Sequence, residues 1–343
     1  MPELPEVEEV RRSLEPHLLG RTIVAARLLR KDFLTTPRGL TSETVLQAVV
    51  GRRFVGTHRH GKKLFCLLDD SQTLLFHLGM TGNLAVCAPQ KPADAATDSS
   101  RNTGVPSAVV RELLAYPSHR SSGQDTRIIQ QQPVLSRTPT ATDTTPALPP
   151  LLPHTHFVLA LSDHSEIRFR DPRRFGGIWY YPTLAAALAK EVTDRMGPDA
   201  LTLTVAHLQH WCPQRAGRRR AGARLKARLL GQKDVAGLGN IYVDEALWLS
   251  HLHPLQRVDR IKAPELKALV AAIRKVLNRS IKLRGTTLRD YRNAHDEAGT
   301  FLTMLQTYGR GGQPCRRCRT TLLEAQIAGR TTVFCPRCQP RHN

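Results

Sequence analysis

The chain has 343 residues, enough for two or three domains with buried cores. Its 50 Lys and Arg outweigh 29 Asp and Glu, a formal net charge of +21 that points to a polyanionic partner, nucleic acid first. The lack of an apolar run of about 18 residues argues against a membrane span. The N-terminus does not read as a secretion signal either, so a cytoplasmic location is expected.

The first residues are Met1-Pro2-Glu3-Leu4-Pro5-Glu6-Val7-Glu8. They admit two readings. In one, Pro5 opens a helix and the acidic residues favour the positive end of its dipole. In the other, removal of Met1 leaves Pro2 as a free secondary amine with Glu3 beside it as a proton carrier. Val7, Val10, Leu14 and Leu18 recur at helical spacing, and Gly20 closes the helix. Strand-like runs follow at 22–29, 53–57, 63–68, 73–78 and 83–87, with turn residues between several of them. Short strands in series suggest an antiparallel sandwich or barrel. Residues 88–153 are rich in Pro, Ser, Thr, Ala and Asp and read as a disordered insertion, with a short helix at 107–116. Strands resume at 156–162, 166–170 and 177–181. From residue 184 the pattern is helical, over 184–193, 204–211, 224–230, 241–250, 264–282 and 300–306. The expected domains are 1–182, 183–304 and 305–343.

Four of the seven cysteines form the strongest single signal, Cys315-x2-Cys318 followed by Cys335-x2-Cys338. Two close pairs of thiolates suit one tetrahedral Zn2+ with no open position, hence a structural ion. The same segment carries Arg316, Arg317, Arg319, Arg330 and Arg337, which suit phosphates. Upstream, Gly237-Leu238-Gly239-Asn240 precedes a helix. It is either an ordinary turn or a phosphate cradle at a helix N-terminus. Arg215, Arg218, Arg219, Arg220, Arg224 and Lys226 precede it as a basic run suited to DNA-backbone contact. Arg59-His60-Gly61-Lys62-Lys63 lies before a strand. Asp171-Pro172-Arg173-Arg174-Phe175-Gly176 is a tight turn whose Phe and Arg suit insertion into a base stack. The loop 77–82 offers Met80, either as a second apolar tip or as core.

Taken together and in this order, these motifs, with Tyr308-Gly-Arg-Gly-Gly, resemble those of the bacterial formamidopyrimidine-DNA glycosylase family. The resemblance covers nearly the whole chain except the insertion. It implies an α+β multidomain fold: an N-terminal antiparallel β-sandwich with a flanking helix, a helical helix–two-turns–helix domain and a C-terminal zinc-finger β-hairpin. It implies a bifunctional glycosylase and abasic-site lyase that removes oxidised purines from duplex DNA, acting as a monomer and associated with the bacterial nucleoid. Pro2 is then the nucleophile, Glu3 the adjacent acid, and Lys62 and Arg330 the cations on flanking phosphates. His154 and Asn240 are DNA contacts, and Met80, Arg173 and Phe175 fill the gap left by an extruded base. Two departures stand out. Lys63 replaces the family's usual Tyr, so either lysine can be the one at the site, with register favouring Lys62. A family basic residue falls near Ala221, where Arg220 or Lys226 can substitute.

The chemistry suits the residues. An α-amino group has a reference pKa of about 7.7–8.0, so part of it is neutral at pH 7, whereas a lysine near 10.4 is not. Attack on C1′ of a flipped nucleotide gives an imine that acts as an electron sink for loss of the flanking phosphates. The competing readings are an endonuclease VIII-like enzyme for oxidised pyrimidines, a non-catalytic lesion-binding protein on the same scaffold, and a zinc-ribbon RNA-binding protein.

Overall fold

The computed structural model describes residues 2–89, 148–211, 222–287 and 291–341. The proposed helix at 107–116, Arg220 and most of the insertion lie outside these. The N-terminal part is two facing sheets. One has the order β1 (Ile23–Leu28), β7 (Thr155–Leu161), β8 (Glu166–Arg170), β6 (Asn83–Cys87), all antiparallel. The other has the order β2 (Leu34–Thr35), β9 (Gly177–Tyr181), β5 (Thr73–His77), β4 (Lys63–Leu68), β3 (Phe54–His60). Only the short β2 runs parallel, against β9.

Period-two alternation decides which side chains meet. In β4, Leu64, Cys66 and Leu68 enter the core between the sheets, while Phe65 and Leu67 pack on the outer face. That outer face is covered by α3 (Leu184–Glu191), through Ala187, Leu184 and Leu188. The core is built on Phe54, Phe76, Phe157 and Phe169 with the α1 residues Val7, Val10, Leu14 and Leu18. Each fully buried Leu or Phe contributes about 1.5–3 kcal/mol.

Helix α1 (Leu4–Leu18) begins three residues before Val7, the first residue of its apolar stripe. Its Leu4 belongs to the second core, formed by α4 (Leu225–Leu230), α5 (Asn240–Leu249) and α6 (Ala263–Lys282). The sequence pattern misses α2 (Ser42–Val49), whose short stripe of Val45 and Val49 is capped by the Thr41 side chain. The segments expected as helices at 204–211 and 300–306 are short 3₁₀ elements, Ala206–Trp211 and Phe301–Met304. The last residues of the expected insertion, 148–153, are among the described ones. Pro150 and Pro153 carbonyls accept from Arg168 Nη1 at 3.0 Å and Arg170 Nε at 2.8 Å, which ties this stretch to β8.

A buried charge cluster joins the first sandwich hairpin to α1 and to the chain entering the helical part. Arg59 on β3 donates to Glu8 Oε2 at 2.9 Å and to Asp199 at 2.5 and 3.1 Å. Asp199 Oδ2 also accepts from the backbone N–H of Gly61, at 2.8 Å, in the turn that carries Lys62. Removing one partner of a buried pair leaves a charge uncompensated, at a cost of about 3–5 kcal/mol. Arg59→Met is therefore expected to lower unfolding free energy by about that amount. Equilibrium urea denaturation checks it, and a loss within about 0.5 kcal/mol, the usual size of surface effects, contradicts the role assigned to Arg59.

Candidate active site

The N-terminus lies against the start of α5. Leu4 N–H donates to the Gly237 carbonyl at 3.1 Å, and Ile241 N–H donates to Glu3 Oε1 at 3.2 Å. The two glycines of the turn make room for this. A Cβ on Gly239 would stand 2.2 Å from Glu3 Cδ, and one on Gly237 would stand 2.5 Å from Leu4 Cδ1. The Gly-x-Gly turn is thus shaped around the chain's own carboxylate, and the N–H of Ile241 is already occupied. Pro2 is buried beside it.

Burial pushes Glu3 up to about 7, against the opposing pull of Lys62 and of the Ile241 N–H and with a further push from Glu6. Its Oε2 is buried without a hydrogen-bond partner among the described residues. Glu6 supports it from below by accepting the Glu3 N–H at 2.9 Å. Glu6 also accepts Thr286 N–H at 2.8 Å and the Tyr242 hydroxyl. Sequence reasoning did not single out Glu6, and a helix-N-terminal Glu at position N3 was the available signal.

Lys62 and Lys63 diverge at the β3–β4 turn. Lys63 Nζ is held by the Glu191 carboxylate and, at 3.1 Å, by the Glu191 carbonyl on α3, where the Tyr181 hydroxyl also donates to Glu191 at 2.6 Å. Lys62 faces Glu3, Glu6 and Arg330 instead. Burial lowers its pKa and Arg330 adds to that, while Glu3 and Glu6 oppose it. His77, opposite Lys63 on β5, is pushed down to about 4 by burial and by Lys63 and Lys62, so it is neutral at pH 7. Its Nδ1 accepts Gly79 N–H at 3.2 Å, which leaves the proton on Nε2. Sequence reasoning did not single out His77 either.

Arg330 begins β11 (Arg330–Phe334), just after the tight turn from β10 (Leu323–Ile327), and is exposed. Asn240 Nδ2 donates to the Thr331 carbonyl at 2.8 Å, so one of its amide hydrogens joins the hairpin to α5. Lys226 corrects an expectation. Leu225, Lys226 and Leu229 share the inward face of α4, and Lys226 is fully buried with Nζ donating to Asp244 Oδ1 at 2.6 Å. A side chain without solvent contact does not reach a DNA phosphate. Asp244 Oδ2 accepts Val333 N–H at 3.2 Å, so the pair anchors the hairpin from beneath.

The two tip loops form one unit. Asp171 is fully buried, and its carboxylate accepts from the Thr81 hydroxyl at 2.5 Å, Arg173 N–H at 3.3 Å and Gly176 N–H at 2.7 Å. This presents Phe175 with 55% of its surface exposed and the Arg173 guanidinium 4.9 Å from its ring centre. Met80, on the adjoining loop, is partly buried. His154 is exposed at the start of β7, and its carbonyl accepts from Asp171 N–H at 3.0 Å, which places it on the same edge.

The four cysteine sulfurs lie within 4.8 Å of one another. Cys318 and Cys335 sulfurs are 3.4 Å apart, and those of Cys315 and Cys338 are 4.0 Å apart. Sulfurs about 2.3 Å from a tetrahedral zinc stand about 3.8 Å from each other, so the set fits one Zn2+ with no vacant position. Trp248 Nε1 donates to Cys315 Sγ at 3.4 Å and Cys338 N–H to Cys335 Sγ at 3.3 Å, an outer layer that orients the thiolates.

Comparison with known proteins agrees with this architecture. Residues 1–178 match the model of the formamidopyrimidine-DNA glycosylase N-terminal domain, 196–292 that family's H2TH domain, and 312–341 the zinc finger found in FPG and IleRS. The chain is 35% identical to the formamidopyrimidine-DNA glycosylase of Herpetosiphon aurantiacus, over 99% of this chain and 100% of the relative. It is 36% identical to that of Thermomicrobium roseum, over 100% of both. Among solved structures, a Lactococcus lactis FPG mutant in complex with Fapy-dG-containing DNA aligns with TM-score 0.72 and 26% identity, over 99% of this chain and 100% of that one. MutM in complex with DNA containing carbocyclic 8-oxo-G aligns with TM-score 0.70 and 26% identity, over the same shares.

The finger's dependence on metal is testable. One zinc per chain is expected by atomic absorption. Stripping it with a chelator is expected to shift Trp248 emission, because the indole N–H loses its thiolate, while the sandwich strands keep their far-ultraviolet signal. Unchanged fluorescence on metal loss contradicts this coupling.

Proposed function

Because the chain belongs to the formamidopyrimidine-DNA glycosylase family, we propose that it is a DNA glycosylase and abasic-site lyase excising oxidised purines in base excision repair. One observation carries the assignment of chemistry. Pro2, a Glu3 pushed up to about 7, Lys62 and Arg330 come from distant parts of the chain and converge at the start of α5.

Pro2 acts once Met1 is removed, since an amide nitrogen has no lone pair to offer. The neutral secondary amine attacks C1′ of the extruded nucleotide, and the base departs with the electron pair of the glycosidic bond. Loss of its single hydrogen leaves the proline nitrogen with a lone pair, which expels O4′ from C1′; O4′ takes a proton from Glu3, the sugar ring opens, and the adduct is a cationic iminium. It draws electrons from C2′, and loss of the C2′ proton expels the 3′ phosphate. A second elimination then expels the 5′ phosphate. Glu3 is half-protonated near neutral pH, so it can deliver a proton in one step and take one in the next. Lys62 and Arg330 stabilise the flanking phosphates.

Phe175, Arg173 and Met80 occupy the vacated base position and offset part of the few kcal/mol that unstacking costs. His154 and Asn240 contact the backbone nearby. The four cysteines hold zinc as a structural staple. The whole set comes from one chain, so a monomer suffices, working on DNA in the cytoplasm at the nucleoid. No helix among the described residues is long and apolar enough to cross a membrane.

Borohydride trapping on duplex carrying 8-oxoguanine tests the nucleophile. Wild type, shown by intact mass to lack Met1, is expected to give a covalent adduct, and Pro2→Gly to reduce it at least tenfold. An undiminished adduct from the variant rules Pro2 out. The pH dependence tests Glu3. Single-turnover excision is expected to fall on the acid side as the Pro2 amine protonates. It also falls above about 7, as Glu3 loses its proton. Glu3→Gln is expected to lose most activity and the alkaline limb with it. An alkaline limb that survives in the variant assigns it to another group.

A further inference from the structure

Arg330 uses only one end of the finger. Helix α5 and strand β11 run side by side in the same direction, with Asn240 bonded to Thr331, Asp244 to Val333, and Trp248 to Cys315 beyond. The first of these contacts lies at the candidate active site. The opposite end is ten residues of helix, or about 15 Å, away. Along β11 the same separation is five residues, or about 16 Å. There the zinc knuckles meet the C-terminal end of α5 around an open cleft of about 680 Å³. Ser250, His251 and Leu252 line it with Arg317 and Arg337.

This end is strongly cationic. Arg316, Arg319 and Arg337 are exposed, and none has a carboxylate within ion-pair distance among the described residues. The acid in the cleft wall, Glu265, accepts the Lys262 N–H at 2.7 Å at the start of α6. Arg317 is preset: its guanidinium lies 4.0 Å from the Trp248 ring centre and donates to the Trp248 carbonyl at 3.2 Å. Arg319 has φ +67°, a left-handed backbone that strains a residue with a side chain and suits glycine. Unneutralised guanidinium groups around an open cleft suit the phosphodiester backbone rather than bases.

We propose that this knuckle end is a second DNA-binding surface, which holds a separate lesion-free duplex while the first occupies the active-site end. The choice of DNA as the polyanion rests on the reading of the chain as a DNA glycosylase. The surface's consequence is kinetic. A protein that grips a second duplex before releasing the first passes between DNA segments directly, so its departure is hastened by free DNA.

The test is stopped-flow dissociation from a short fluorescent duplex without lesion, chased with rising concentrations of unlabelled lesion-free duplex. Binding is read without excision, so the result stands apart from the catalytic assignment. For wild type, the dissociation rate is expected to climb with competitor, at least threefold over the accessible range. In Arg316→Gln/Arg319→Gly/Arg337→Gln it is expected to be flat, with zinc content equal to wild type and affinity for the first duplex within twofold. The salt slope of second-duplex binding is expected to drop by up to about 2.7 for three lost phosphate contacts. A wild-type rate independent of competitor overturns the proposal without recourse to any variant. So does a variant that keeps the wild-type dependence. A variant that loses affinity for the first short duplex also overturns it, since that places these arginines on the path of the primary DNA.

Discussion

Glu3 lodged on the first turn of α5 is the constraint from which the rest follows. A carboxylate at a helix N-terminus is favoured by the free N–H groups there, and the Ile241 N–H provides that contact here. Burial nonetheless wins, and the group is held near neutrality in its titration rather than locked as an anion. Each neighbour serves this placement. Gly237 and Gly239 leave the space, Glu6 holds the backbone of Glu3, and Tyr242 and Thr286 satisfy Glu6. Had either glycine carried a side chain, Glu3 and Leu4 could not approach the start of α5 as they do, and Pro2 would have no defined position.

The second organising feature is the separation of two adjacent lysines. A turn between antiparallel strands sends successive side chains to opposite faces, and the acid of α3 captures one of them. Lys63 is thereby neutralised on the outer face, and Lys62 is left towards Glu3. The Arg59 cluster anchors the same turn to the chain leading into the helical part. Two ion pairs therefore fix the position of a cation that belongs to neither.

Most of the strand positions along the chain and the metal site could be read from residues alone. Alternation in β4 to β9 and the doubled Cys-x2-Cys spacing are local signals with a direct physical meaning. The bounds of β4, β6, β8 and β9 agree with the pattern. What was not legible has a common cause. Helix α2 is only eight residues long, too short for a persuasive stripe. Lys226 looks like a member of a basic run, yet its helix turns it inward onto Asp244. Gly237-Leu238-Gly239 reads equally as turn or phosphate cradle, and what fills it is a carboxylate from the other end of the chain.

The sequence by itself determined the periodicities, the ligand set for zinc and the ordered motifs by which the family is recognised, because each depends on neighbours in the chain. Only the tertiary structure decided which charges are paired, which are buried and which remain free. That division follows from electrostatics: a lysine's character is set by the nearest carboxylate and by its distance from water, and both come from segments remote in sequence. Lys62, Lys63 and Lys226 are the same residue type with three different environments, and the fold alone tells them apart.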